Sequence, residues 1–230
     1  MRRAIDQHSA AEEAFLKIKL HVSGILVIFA SILIDGGEVI AFFFLAALIH
    51  EFGHLLGARV MKKRVDRIEI GFSGARIVIE DRMLGYGEEF FIAFMGPFFN
   101  FLTVGAVFLA FMHCGGNMTA LLESGMRFLE DRAGNTAEIG GFLAISALSQ
   151  AILNLLPIKS LDGGRMLYSC ISAFFGERAG ERVTGISTLF FAVAAWLVAL
   201  YLMIRVEAGL ALFVFAVWGF FLVTEKSGKG

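Results

Sequence analysis

Val39-Ile40-Ala41-Phe42-Phe43-Phe44-Leu45-Ala46-Ala47-Leu48-Ile49-His50-Glu51-Phe52-Gly53-His54-Leu55-Leu56 is an apolar run broken by two histidines and one carboxylate. A run of this kind reads as a helix that crosses a bilayer, where ionisable side chains are costly to keep. Residues i and i+4 of a helix share a face and lie about 6 Å apart along its axis, so His50 and His54 can both reach one metal ion. Glu51, one position on, can then face a water polarised by that ion. Imidazoles suit zinc, and a glutamate in this HExxH spacing suits a general base. A purely structural role would leave three polar groups on adjacent turns without partners in lipid.

The remainder of the chain agrees with a membrane setting. Of its 230 residues 57% are hydrophobic, 25 are Phe and only 2 are Pro. With a mean hydropathy of +0.75 this is too apolar for an ordinary soluble domain. The formal net charge of −1 says nothing about partners; the apolar composition names the lipid bilayer, and no nucleic acid is expected. Cys114 and Cys170 sit at different span ends and give no disulfide framework. Charges run throughout Met1 to Lys19, so the first apolar segment is expected to stay as a span rather than leave as a signal peptide.

Apolar stretches of span length fall at Ile18 to Ile34, Val39 to Met61, Phe90 to Met112, Ile139 to Leu156, Val183 to Ile204 and Ala208 to Val223. Six spans put both termini on one side. Only Arg127, Arg132 and Arg205 of the 20 Lys and Arg residues then fall on the opposite side, which places both termini in the cytoplasm. The connection Arg64 to Glu89 carries two short alternating segments, Ile68 to Phe72 and Arg76 to Glu80, around Ser73-Gly74, the pattern of a hairpin. Between Cys114 and Glu138 an interfacial helix is expected. The predicted fold is an all-α polytopic membrane protein of about six transmembrane helices with a small cytoplasmic β-hairpin between the second and third. Residues 1–17 form a cytoplasmic N-terminal tail, 18–223 a single membrane domain and 224–230 a cytoplasmic C-terminal tail.

Two histidines leave a catalytic zinc site one ligand short. Asp162, in Asn154-Leu155-Leu156-Pro157-Ile158-Lys159-Ser160-Leu161-Asp162-Gly163-Gly164, is the carboxylate best placed to supply it. Pro157 ends regular helix there and Gly163-Gly164 permits a tight turn. Irregular backbone at membrane depth belongs where it is buried in protein or lines a watery cavity. Asp162 could instead serve only as a helix N-cap. Gly96-Pro97-Phe98-Phe99-Asn100 is a second break, expected to kink the third span. Asn100 and Asn154 could donate to a developing oxyanion, hold an extended substrate backbone, or only bind helices together. His21 and His113, near span ends, suit interfacial positions, and His8 the solvated tail.

HExxH in the second span, GPxxN in the third and NxxPxxxLDGG at the fourth together resemble the site-2 protease family of intramembrane zinc metalloproteases. The match covers roughly Lys17 to Arg165, and the last two spans fit by hydropathy alone. The resemblance implies an intramembrane endopeptidase with one zinc per chain on His50, His54 and Asp162. Glu51 would be the general base, and Asn154 would assist at the oxyanion or substrate backbone. Apart from the resemblance, Asn100 and Pro157 are candidate substrate contacts, and the hairpin with Ile70 and Ile77 could offer an edge for strand addition to the substrate. The compact layout is similar to the sporulation subgroup that processes a membrane-associated pro-sigma factor. That likeness implies a membrane-associated regulatory protein (pro-sigma or anti-sigma type) as substrate, a regulatory membrane protein as possible partner, and a bacterial plasma membrane. Two departures stand out: the chain ends soon after Thr224 without a CBS domain, and Lys159 stands where many members have a second proline.

Two other classes use the same residues differently. A non-catalytic scaffold would bind client spans, yet it has no need of Glu51. A metal transporter wants several sites along a path, whereas these spans carry one tight cluster.

Overall fold

The computed structural model describes residues 17–20, 38–63, 65–71, 74–79, 84–130 and 136–205. Among them are three strands, β1 (Lys17–Leu20), β2 (Val65–Gly71) and β3 (Gly74–Ile79). Six helices follow the same chain order: α1 (Glu38–Val60), α2 (Tyr86–His113), α3 (Met118–Glu130), α4 (Thr136–Asn154), α5 (Asp162–Phe175) and α6 (Glu177–Arg205). Four of these, α1, α2, α4 and α6, contain stretches long and apolar enough to cross a membrane. They coincide with the second to fifth expected spans. The sixth expected span and the first beyond Leu20 lie outside the described residues, as do the two terminal tails apart from Lys17.

The start of the first span needs correction. Lys17-Ile18-Lys19-Leu20 is strand β1, paired parallel with β2 from Lys17↔Arg67 to Leu20↔Ile70. Charged and apolar residues alternate here with period two, a strand pattern that a hydropathy window averages away. β2 pairs antiparallel with β3, with Ile68 opposite Ile77 and Ile70 opposite Ala75. The order β1-β2-β3 makes β2 the middle strand. Ile70 therefore has a neighbour on each side, and among the described residues only Ile77 of the two isoleucines assigned to a substrate edge, on β3, belongs to an edge strand.

Contacts divide the chain into two compact units, one of residues 1–84 and 95–151, the other of residues 85–94 and 152–230. Nothing in the sequence of 18–223 marks this division. In the first unit α1 runs 23 residues, about 34 Å at 1.5 Å per residue, enough for a bilayer core. It ends in a Schellman motif: the Lys63 amide donates to the Ala58 carbonyl at 2.9 Å and that of Lys62 to Arg59 at 3.0 Å, with Lys62 at φ 57°. The reversal turns the chain out of the span towards β2. α3 is amphipathic, burying Leu121, Ser124, Gly125 and Phe128 at helical spacing while Leu122 and Met126 stay exposed. Its first turn is capped by Asn117, whose Oδ1 accepts from the Ala120 amide at 2.9 Å. Phe128 stacks on Phe142 of α4 (centroids 5.0 Å) and meets Phe42 of α1 edge-on (5.3 Å), so one aromatic cluster fastens three helices. α2 continues as helix through Pro97.

In the second unit α5 and α6 form a helical hairpin, turned at Gly176 with φ 85°. Residues 155–161 lead into α5, and two hydroxyls of α6 hold this segment. Ser187 donates to the Pro157 carbonyl at 2.8 Å, and Thr188 accepts from the Lys159 amide at 2.9 Å.

Candidate metal centre

α1 places His50 and His54 one turn apart on its buried face, 4% and 6% exposed, with half-buried Glu51 beside them. The two Nε2 atoms face each other at 3.1 Å, and the rings stand edge to face at 88°. Zinc bonds to imidazole nitrogen at about 2.0–2.1 Å, so two tetrahedral ligands lie about 3.3 Å apart. The observed spacing fits that bite. One ligand atom from each of His50, Glu51 and His54 falls within 4.8 Å of the others. The residues present therefore suit a zinc ion, with two nitrogen donors converging and a carboxylate next to them.

α2 covers the pair through Gly96 and Asn100, four residues apart on one face. Gly96 lies against both imidazoles, leaving no space for a side chain. Gly53, between the histidines, is equally tight against the main chain of Met95, with Gly96 Cα 3.1 Å from where its Cβ would stand. Glycine on each helix thus lets two spans approach backbone to backbone at the metal site. The Asn100 amide, wholly buried, sits with Nδ2 3.2 Å from His50 Nδ1. Phe52 and Phe99 pack edge to face at 5.7 Å on the same helix pair. Sequence reasoning passed over both glycines as site residues. The available signal was small residues placed beside, or four before, buried polar groups.

A family model described as Peptidase family M50 matches residues 38–198. This chain belongs to peptidase family M50. The M50 match takes in α1 with its HExxH segment and runs through α5 into α6. A protein of Neisseria meningitidis serogroup A, provisionally named a zinc metalloprotease, is 38% identical over 80 residues. A protein of Ralstonia nicotianae with the same provisional description is 40% identical over 63 residues. These alignments cover 33% and 25% of this chain, and only 18% and 14% of the two relatives. The fold is shared with the site-2 protease from Methanocaldococcus jannaschii. TM-score is 0.58 at 20% identity, over 91% of this chain and 90% of that one. Four apolar helices in an M50 chain make this an integral membrane protein.

Three further expected site residues of this M50 chain, Asn154, Pro157 and Asp162, lie in the second unit. Asp162 is the first residue of α5 and 7% exposed. The N-cap position belongs to Leu161, without a side-chain cap, so Asp162 does not serve as the cap. Arg165 stands 3.7 Å from the Asp162 carboxylate and 3.6 Å from that of Glu89. Gly163 and Gly164 press on the main chain of Leu155, Leu156 and Ile158, which explains why this turn carries no side chains. Asn154 is the last residue of α4, and Pro157 follows where the helix has already ended. His50, Glu51, His54 and Asn100 are thus gathered in one unit, with Asn154, Pro157 and Asp162 in the other and Ile70 and Ile77 on the sheet of the first.

Proposed function

We propose that this chain is an intramembrane zinc endopeptidase that hydrolyses a peptide bond in or near a membrane-associated segment of a regulatory protein. The observation that carries the proposal is the His50–His54 pair, buried at a zinc-ligand spacing beside Glu51 in an apolar helix. His50, His54 and Asp162 would hold the ion. Bound zinc supplies a Lewis acid that lowers the pKa of water and polarises a carbonyl. Glu51 takes the proton from the attacking water and returns it to the leaving amine, work for which a half-buried carboxylate next to the ligands is suited. Asn154 donates to the carbonyl oxygen as charge develops there. A helical substrate must first unwind locally, and strand addition at β3 beside Ile77 would hold it extended.

The resemblance to the sporulation subgroup supports a pro-sigma or anti-sigma type substrate in a bacterial plasma membrane. Six spans, a cytoplasmic hairpin and cytoplasmic termini complete the proposed topology, supported by the Lys and Arg distribution. The test is cleavage of a membrane-associated pro-sigma substrate by detergent-purified protein, comparing wild type with Glu51→Gln at matched zinc content. Cleavage by wild type and a fall of about 10²–10⁴-fold in the variant is expected for loss of a general base. Equal cleavage by both would remove Glu51 from the mechanism.

A further inference from the structure

The His50 ring has two nitrogens with different duties. Its Nε2 faces His54 Nε2 at 3.1 Å, the side on which a metal would bind, and its Nδ1 faces the Asn100 amide at 3.2 Å. An imidazole that offers a lone pair at Nε2 must carry its proton on Nδ1, and that proton needs an acceptor. In the orientation placed, Asn100 turns Nδ2 to Nδ1, and its Oδ1 is buried with no hydrogen-bond partner. A donor at Nδ1 drives the His50 proton to Nε2 and removes the lone pair from the metal side. The oxygen and nitrogen of an amide occupy interchangeable positions, so the network decides between them. Turned by 180°, the amide gives the orphaned oxygen a donor, the His50 Nδ1–H, and returns the Nε2 lone pair to the metal side.

We propose that Asn100 is a positioning residue that holds His50 in its Nδ1–H tautomer, Oδ1 accepting the imidazole proton so that Nε2 remains a ligand. This rests on the zinc reading above for its purpose, and gives Asn100 a task other than substrate contact. Partners of this kind behind metal-bound histidines orient the ring and raise its basicity, and losing one weakens metal binding about 10–100-fold. The cost of an asparagine with no exposure in an apolar helix then has a reason.

The experiment uses the full chain in detergent, loaded with zinc and titrated with a chelator of known zinc affinity, for wild type, Asn100→Asp and Asn100→Leu. Leucine keeps the volume but accepts no proton, and its zinc affinity should fall about 10–100-fold. Aspartate offers an acceptor in the same place and should stay within a few-fold of wild type. Zinc affinity unchanged in Asn100→Leu, or lost equally in both variants, overturns the proposal, as does a raised KM with unchanged zinc affinity. ¹⁵N shifts of His50 in the zinc-free wild type give a readout that survives a variant that does not fold. A proton on Nδ1 is expected, and a proton on Nε2 overturns the assignment. Should wild type hold no zinc, the zinc reading fails on its own, and the ¹⁵N result still decides what Asn100 does to His50.

Discussion

Gly96 of α2 lies directly against the His54 imidazole: a Cβ there would overlap ring atoms Cε1 and Nε2 and stand 2.8 Å from Cε1 of His50. Both imidazoles thus fit only because the facing helix carries no side chain there. Gly96→Ala should force both rings to turn. Zinc affinity measured by chelator competition should drop at least about 10-fold, and stability should fall by about 1–3 kcal/mol, the usual cost of overpacking. Unchanged affinity would mean that the helices part easily at this point.

Gly53 and Gly105 make a matched pair of tests in the same unit. A methyl on Gly53 meets the Met95 carbonyl, a main-chain atom that cannot swing away, whereas nothing lies within 4 Å of one on Gly105. Gly53→Ala should lower the melting temperature in detergent. Gly105→Ala should leave it unchanged or raise it, since alanine favours helix over glycine by up to about 1 kcal/mol.

The turn before α5 should be similarly intolerant. A Cβ on Gly164 collides with the Ile158 carbonyl, so Gly164→Ala must displace residues 155–161 and should abolish the proposed proteolysis. Ser187→Ala removes only the hydrogen bond to the Pro157 carbonyl, and its cost should be about 0.5–1.5 kcal/mol by thermal melting, with activity retained.

Arg165 lies between the carboxylates of Asp162 and Glu89, but at 3.6–3.7 Å and with about a third of its side chain exposed. Pairs of this kind contribute about 0–1 kcal/mol. Glu89→Gln should therefore change activity less than about 5-fold, by less at high salt than at low. A loss of 100-fold would show that Glu89 does more than hold Arg165.

Stripping the metal should destabilise the protein, because zinc binds the assembled site and not separated ligands. Free zinc at 100 times its Kd adds about 2.7 kcal/mol by mass action. A chelator should lower the melting temperature of wild type, and hardly move that of a His50→Ala, His54→Ala variant. Identical shifts in both proteins would place the metal elsewhere.

The sequence carries these features unequally. α1, α2, α4 and α6 follow from apolar windows because hydropathy over about twenty residues is a local property; α1 keeps its expected bounds, whereas α2, α4 and α6 each begin before the apolar window, in polar first turns that hydropathy does not register. The helix between Cys114 and Glu138 is expected from Met118, Leu121, Leu122 and Leu129, whereas α3 buries Leu121 together with Phe128 and leaves Met118 and Leu122 exposed. β1 was hidden, since Ile18 and Leu20 raised the window average while their alternation with Lys17 and Lys19 carried the information.

His50 and His54 share a face by helix period alone: four residues make a little over one turn, and no tertiary contact is needed to align them. The sequence by itself therefore determined the histidine pair proposed to bind metal, the carboxylate proposed as base between them and the apolar helix that holds all three. Tertiary structure alone decided that Asn100, fifty residues on, turns its amide to His50, and that Gly53 and Gly96 let two spans touch at the ligands. Such contacts depend on where two helices cross and how each is rotated about its axis. That is fixed by the packing of both surfaces at once, and not by the periodicity of either chain segment.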